Sequence, residues 1–201
     1  MNRKIFLNWL KINILFFMGA FIVALLSALL FPDTMLEFVR KWGAYTRTVG
    51  PTVLKPTSNE ALFVNILTKN SFMTILYFLA SLFFFAPLLA MIGGTFYSLG
   101  LMSAIGRGVV PFWHSPILIT IEVSFILLTI TFASVLGTEI FGVKPERNEI
   151  MDFWKKNWKR LFPEQKRNWR VVFEENKKEL ILFTVIILAL LLFGAWFEVL
   201  I

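Results

Sequence analysis

Three ionisable side chains stand close together in an otherwise apolar part of the chain: Arg107, His114 and Glu122. The last two lie inside PFWHSPILITIEVSF, residues 111–125, and His114 is the only histidine. A carboxylate held in hydrocarbon costs on the order of 3 kcal/mol on insertion scales. Glu122 therefore has to hold a proton, pair with a cation, or face a wet cavity. Arg107 begins and His114 ends the turn before a helix predicted from Pro116, so the three groups are expected to form one polar cluster near one end of the helices. Such a cluster can serve as a structural tie, as a site that handles ions or headgroups, or as a catalytic centre. Catalysis has little to work with. Zinc needs three protein ligands at an open site, and this chain has one histidine and no cysteine. A serine–histidine–acid triad would need Glu122 brought round to His114. No glycine-rich phosphate loop follows a strand, and no pair of intramembrane aspartates is present. No catalytic residue, metal or cofactor is expected, and the chain is not read as an enzyme.

The elements that must position these groups are read from hydropathy. The chain has 201 residues, of which 57% are hydrophobic, with 23 phenylalanines and 7 tryptophans. Its mean hydropathy is +0.72. A soluble domain sits near 45–50% apolar, and here the excess is gathered in runs, as membrane spans require. The expected fold is all-α: a polytopic membrane helical bundle of about five transmembrane helices plus interfacial amphipathic helices. Spans are expected at about 10–31, 71–92, 94–112 and 116–137, with a fifth within 180–201. A turn is expected at Gly93-Gly94 and a kink at Pro87. The basic start followed by an apolar run mimics a signal peptide, but Ile12–Phe31 is uncharged over 20 residues, longer than a signal core.

The net charge of +7 fits positive-inside anchoring rather than nucleic-acid binding. Three lysines and arginines lie in residues 1–11, eleven in 143–179, five in 33–69 and one at Arg107. Five spans place fourteen of these on one side and six on the other. The expected location is the cell (plasma) membrane, with the N-terminus and segment 143–179 cytoplasmic and the C-terminus outside. Residues 33–69 then form an outer segment, in which Thr57 to Glu60 reads as a capping box.

Within 143–179, Ile150, Met151, Trp154, Trp158, Leu161 and Phe162 share one helical face, with Lys155, Lys156, Lys159 and Arg160 between them. This pattern marks an interfacial helix with aromatics at headgroup depth and cations facing anionic lipid. Trp169 belongs to a second, more charged stretch. Elsewhere, Gly93, Gly94, Ser98, Gly100, Ser103 and Gly106 put small residues on more than one helix face, which permits close helix packing in lipid, either within one chain or between copies.

One resemblance follows from the layout. A segment Asn65-Ile-Leu-Thr-Lys-Asn70 precedes a long span with a proline, then a short span rich in small residues. A Pro-x-x-His turn (Pro111 to His114) opens the next span, and Ala133-Ser-Val-Leu-Gly137 closes it. Over roughly residues 61–142 this resembles the stage II sporulation protein M-like family of membrane proteins. The family's Asn-Gly-x-x-x-Gly stands here as Gly93-Gly94-Thr-Phe-Tyr-Ser98. The resemblance implies a non-enzymatic membrane scaffold that brings partners together. The expected function is such a scaffold, a homo-oligomer through the small-residue helix, with anionic lipid headgroups and an unidentified protein as partners and no nucleic acid. The alternative is a channel or transporter component that uses the Glu122/His114 cluster.

Overall fold

The structure is a computed structural model that describes residues 2–35, 37–38, 41, 58–107, 114–155 and 167–200, without the side chains of 103–107 and 114–115. Its elements are α1 (Arg3–Leu30), α2 (Asn59–Leu82), α3 (Ala86–Arg107), α4 (His114–Phe141), α5 (Arg147–Lys155), α6 (Trp169–Glu175) and α7 (Lys177–Leu200), with no strand among the described residues. Four helices are long and apolar enough to cross a membrane: α1, α2, α4 and α7. The apolar part of α3, Ala86–Met102, is shorter.

Local chemistry sets the helix starts. Asn2 caps α1, its Oδ1 accepting from the Lys4 amide at 3.0 Å. Ser58 caps α2, its Oγ accepting from the Ala61 amide at 3.2 Å. The cap is thus one residue beyond the Thr57 expected from sequence. The hydroxyl reaches the third helical amide, which would otherwise lack a partner.

The larger difference lies between α2 and α3. The chain reverses at Phe83–Phe85, and Gly93-Gly94 sits inside α3, where a turn was expected. The expected spans 71–92 and 94–112 therefore become 59–82 and 86–107. Pro87 explains the shift. In mid-helix it would clash with the carbonyl four residues back. As the second residue of α3 it needs no amide partner and its fixed φ suits a helix start. The end of α2 is a Schellman turn: the Phe85 amide donates to Ala80 O at 3.4 Å and the Phe84 amide to Ser81 O at 3.0 Å. That turn requires a left-handed residue where glycine is usual. Phe84 takes the position, with φ 65°.

The contacts give each helix its direction. Trp9 stacks on Phe84, and Gly93 and Gly94 sit against Phe17, so α1 and α3 run parallel. Trp9 bonds Thr138 and Asn13 bonds Thr131, so α4 runs against α1. Phe78 and Leu82 meet Phe132 and Gly137, so α2 runs with α4. Phe132 stacks on Phe183 while Gly194 faces Ile121, so α7 runs against α4. The long helices thus alternate in direction along the chain. One end of the bundle gathers Arg3, the Phe83–Phe85 turn, Phe141 and Lys177; the other gathers Leu30, Asn59, Arg107, His114 and Leu200. The central helix is α4, which packs against α1, α2, α3, α6 and α7 and is buried continuously from Thr131 to Thr138.

At the Arg3 end, Phe84 is 2% exposed. Its ring meets Trp9 at 5.8 Å, Phe141 at 6.2 Å and Phe153 at 4.8 Å. Left-handed backbone at a non-glycine residue costs roughly 1–2 kcal/mol, and truncating a buried phenylalanine costs about 3–5 kcal/mol. The ring's burial therefore outweighs the strain. Both Phe84→Ala and Phe84→Gly are expected to destabilise the fold, with the glycine variant the more stable of the two by roughly 1 kcal/mol because only glycine relieves the backbone. Denaturant unfolding in detergent micelles checks this; an alanine variant as stable as the glycine variant contradicts it.

Candidate functional site

The polar group that sequence singles out on α4, Glu122, is half-buried and does have partners. Tyr97 of α3 lies beside its carboxyl. Lys69 of α2 and Glu198 of α7 lie within electrostatic reach of Glu122, and Lys69 of Glu198 as well. Tyr77 of α2 lies in reach of Tyr97. Four helices therefore contribute to one polar cluster toward the Leu30 end. Tyr97 is half-buried and its ring meets Phe17 at 6.2 Å, while Lys69 and Glu198 are on the bundle's outside. The expected partners Arg107 and His114 have side chains outside the described residues. Tyr97, Lys69 and Glu198 were missed by sequence reading. Lys69 and Tyr97 stand near the middle of their helices and Glu198 near the end of α7, so nothing in the linear spacing joins them to Glu122.

A second polar system runs through the core. The Trp9 indole donates to Thr138 Oγ1 at 2.9 Å, and Asn13 Nδ2 donates to Thr131 Oγ1 at 3.0 Å. Thr138 in turn donates to Ser134 O at 2.9 Å, and Ser134 to Ile130 O at 2.8 Å. Bonding back to the previous turn uses each hydroxyl's hydrogen and leaves its lone pairs free for another helix. Asn13, Thr131 and Ser134 are 0% exposed. These bonds hold α1 to α4 without any charge.

The small-residue set divides in the same way. A Cβ on Gly94 would lie 2.2 Å from the Phe17 carbonyl oxygen, so α1 and α3 touch backbone to backbone there. Gly93 and Ser98 are buried on the same helix, whereas Gly100 is exposed with open space before it. Ser103 and Gly106 have side-chain positions outside the described residues. The Gly94 contact is thus made within the chain. Gly137 repeats it on α4, where a Cβ would lie 2.2 Å from the Leu82 carbonyl oxygen. Gly19, with nothing within 4 Å, opens onto an apolar groove of about 630 Å³ between α1 and α3 that also includes Met35 and Phe38.

At the Arg3 end, α5 and α6 form a collar. Phe153 and Ile150 pack with Trp9, Phe84 and Val135, and Trp154 meets Phe85 at 4.2 Å. The aromatic face of α5 is therefore turned onto the bundle, while Lys155 and Asp152 point outward. Lys156, Trp158, Lys159 and Arg160 lie outside the described residues. Asn168 caps α6, and Val172 is 0% exposed. Asn176 Nδ2 donates to Glu139 Oε2 at 2.6 Å, tying the start of α7 to α4. Trp169 is exposed, with the Arg170 guanidinium 5.3 Å above its ring. Arg167 pairs with Glu175 at 2.5 Å, and this carboxylate pushes the guanidinium pKa up.

Among the described residues no three His, Cys, Asp or Glu side chains converge so as to hold a metal ion. Comparison with family models, curated proteins and solved structures finds no match for this chain. The site must therefore be argued from its own chemistry.

Two measurements check this geometry. Gly94→Ala is expected to lower the yield of folded protein sharply, because the new methyl meets backbone, whereas Gly19→Ala is neutral or stabilises by up to about 1 kcal/mol. Monodispersity on size-exclusion chromatography and unfolding in micelles separate the two. A double-mutant cycle on Trp9→Phe and Thr138→Val is expected to give a coupling of about 0.6 kcal/mol, in the range for hydrogen bonds between membrane helices; a coupling of zero means the bond adds nothing.

Proposed function

We propose that this chain is a non-enzymatic integral membrane protein that acts as a scaffold, presenting a charged collar at one membrane face to a protein partner. The observation that carries this reading is how the collar is held. Helix α5 sits on the Phe84 aromatic cluster and α6 is fixed through Val172 and the Asn176–Glu139 bond, so both helices are part of the bundle. An amphipathic platform held to the bundle in this way suits docking. The resemblance to stage II sporulation protein M-like proteins supports the same reading, with the plasma membrane as location. In the proposed topology all five long helices cross, the Arg3 end and the collar are cytoplasmic, and the C-terminus is outside, as the lysine and arginine asymmetry favours. The basic residues of the collar then face anionic headgroups, each adding up to about 1 kcal/mol. The scaffold self-associates through a face other than that of Gly94, which serves the chain's own α1–α3 contact.

A photo-crosslinking residue placed at Asp152 or Lys155 in cells is expected to yield a discrete protein adduct, while the same residue at Leu188, on the outer face of α7, yields lipid adducts. Equal labelling at both positions, or lipid alone at the collar, removes the scaffold reading.

A further inference from the structure

Helices α6 and α7 carry one continuous row of side chains from the collar into the bundle. The Asn176 amide donates to Val172 O at 3.1 Å and the Leu180 amide to Asn176 O at 2.8 Å, so helical register runs through the junction. Residues three and four apart then share a face, and Arg170, Phe173, Lys177, Leu180, Thr184 and Leu188 follow that spacing. Four of them, Phe173, Leu180, Thr184 and Leu188, line a groove of about 400 Å³ between α2 and α7, with Thr129 and Phe132 of α4 also on its walls. The hydroxyls there do not oppose an apolar occupant, because they are bonded back to their own helices. Thr74 donates to Asn70 O and Thr129 to Phe125 O, each at 2.7 Å. The groove leads up to the collar. Phe173 meets Trp169 edge-on at 6.1 Å, and the Arg170 guanidinium lies 5.3 Å over that indole. Stacking occupies the face of the guanidinium and leaves its N–H edge for a phosphate.

We propose that this groove holds an acyl chain of one anionic phospholipid, whose phosphate is bound by Arg170 and Lys177. The length fits. Leu180 to Leu191, both on the groove wall, spans roughly 16 Å at 1.5 Å per residue, close to the ~15 Å of hydrocarbon in one leaflet. The charge fits as well. Arg170 and Lys177 are exposed at the head of the row, where they attract a net-negative headgroup and repel the ammonium of a zwitterionic one. Of the acids in this region, Glu175 is paired with Arg167 and Glu139 is bonded by Asn176. Glu174, about one turn from each of the two cations, is exposed and tempers their attraction. Trp169 sits beside them at the depth where indoles favour the interface. This site depends on the membrane placement proposed above and not on the protein partner.

Native mass spectrometry of the full chain in mild detergent, with phosphatidylglycerol or phosphatidylcholine added, tests it. The expected result is one phosphatidylglycerol retained per chain, with a preference over phosphatidylcholine of roughly tenfold. Arg170→Gln combined with Lys177→Gln is expected to abolish that preference, and Glu174→Gln to increase it. Thr184→Trp, which fills the groove and leaves both cations in place, is expected to weaken retention of phosphatidylglycerol. All four substituted side chains are exposed, and circular dichroism verifies folding of each variant. Equal retention of the two lipids by the unaltered chain overturns the proposal. So does a preference that survives the double substitution, or retention indifferent to Thr184→Trp. A dimer that Thr184→Trp disperses gives the groove to a second copy and overturns it too. Should Thr184→Trp fail to fold, short-chain phosphatidylglycerol decides, retention equal to that of the long-chain lipid counting against the groove. A retained lipid without a protein adduct at the collar removes the scaffold reading alone; the reverse pattern removes this site alone.

Discussion

A hydroxyl or amide buried among apolar helices can bond only to protein, and the central helix carries four such hydroxyls. Thr129, Thr131, Ser134 and Thr138 are all buried on α4. Each could destabilise the core by a few kcal/mol if left alone. Bonding back to the previous turn settles most of this within α4, and the free lone pairs then select which side chains approach. Trp9 and Asn13 of α1 do so, one turn apart on the same face. The register of α1 against α4 follows from these two bonds, and much of the remaining packing follows from that register.

With α1 in place, the close contacts fall into order. Phe17, one turn beyond Asn13, meets Gly93 and Gly94 of α3, where the lack of a side chain lets the backbones touch. Such an approach gains many small dispersion contacts, which in lipid substitute for the hydrophobic drive between helices. On the other side, Gly137 admits the end of α2 in the same manner. The turn that follows must then be sharp, and Phe84 accepts a left-handed backbone because its ring completes the aromatic cluster under the collar. Backbone strain, core packing and the docking of α5 are one arrangement.

Charge is distributed by the same logic. The Arg3 end places most of its described ionisable groups on the outside, and its part-buried acid, Glu139, is held by Asn176. The Leu30 end instead draws Glu122 inward against Tyr97, and the lysine and glutamate nearest to it sit on the bundle's exterior. The two ends of the molecule therefore differ in kind. One is a platform held by aromatic packing; the other holds a half-buried acid with ionisable neighbours from three other helices.

The linear sequence by itself determined the class of element. Long runs free of charge form helices when no water is present to satisfy the backbone, so α4 and α7 were legible to within a few residues, while α1 begins at Arg3, about two turns before the expected span. Glu122 was legible too, as a lone acid in such a run. The boundary between α2 and α3 was not. Pro87 reads equally well as a kink within a helix or as the second residue of a new one, and only the packing of Phe84 against Trp9 and Phe153 decides between them. Likewise, Gly93-Gly94 reads as a turn until Phe17 is seen lying against it. The neighbours of Glu122 come from three other helices separated by up to 129 residues, from Lys69 to Glu198. Periodicity carries no information over that distance, and the tertiary fold alone brings them to one level.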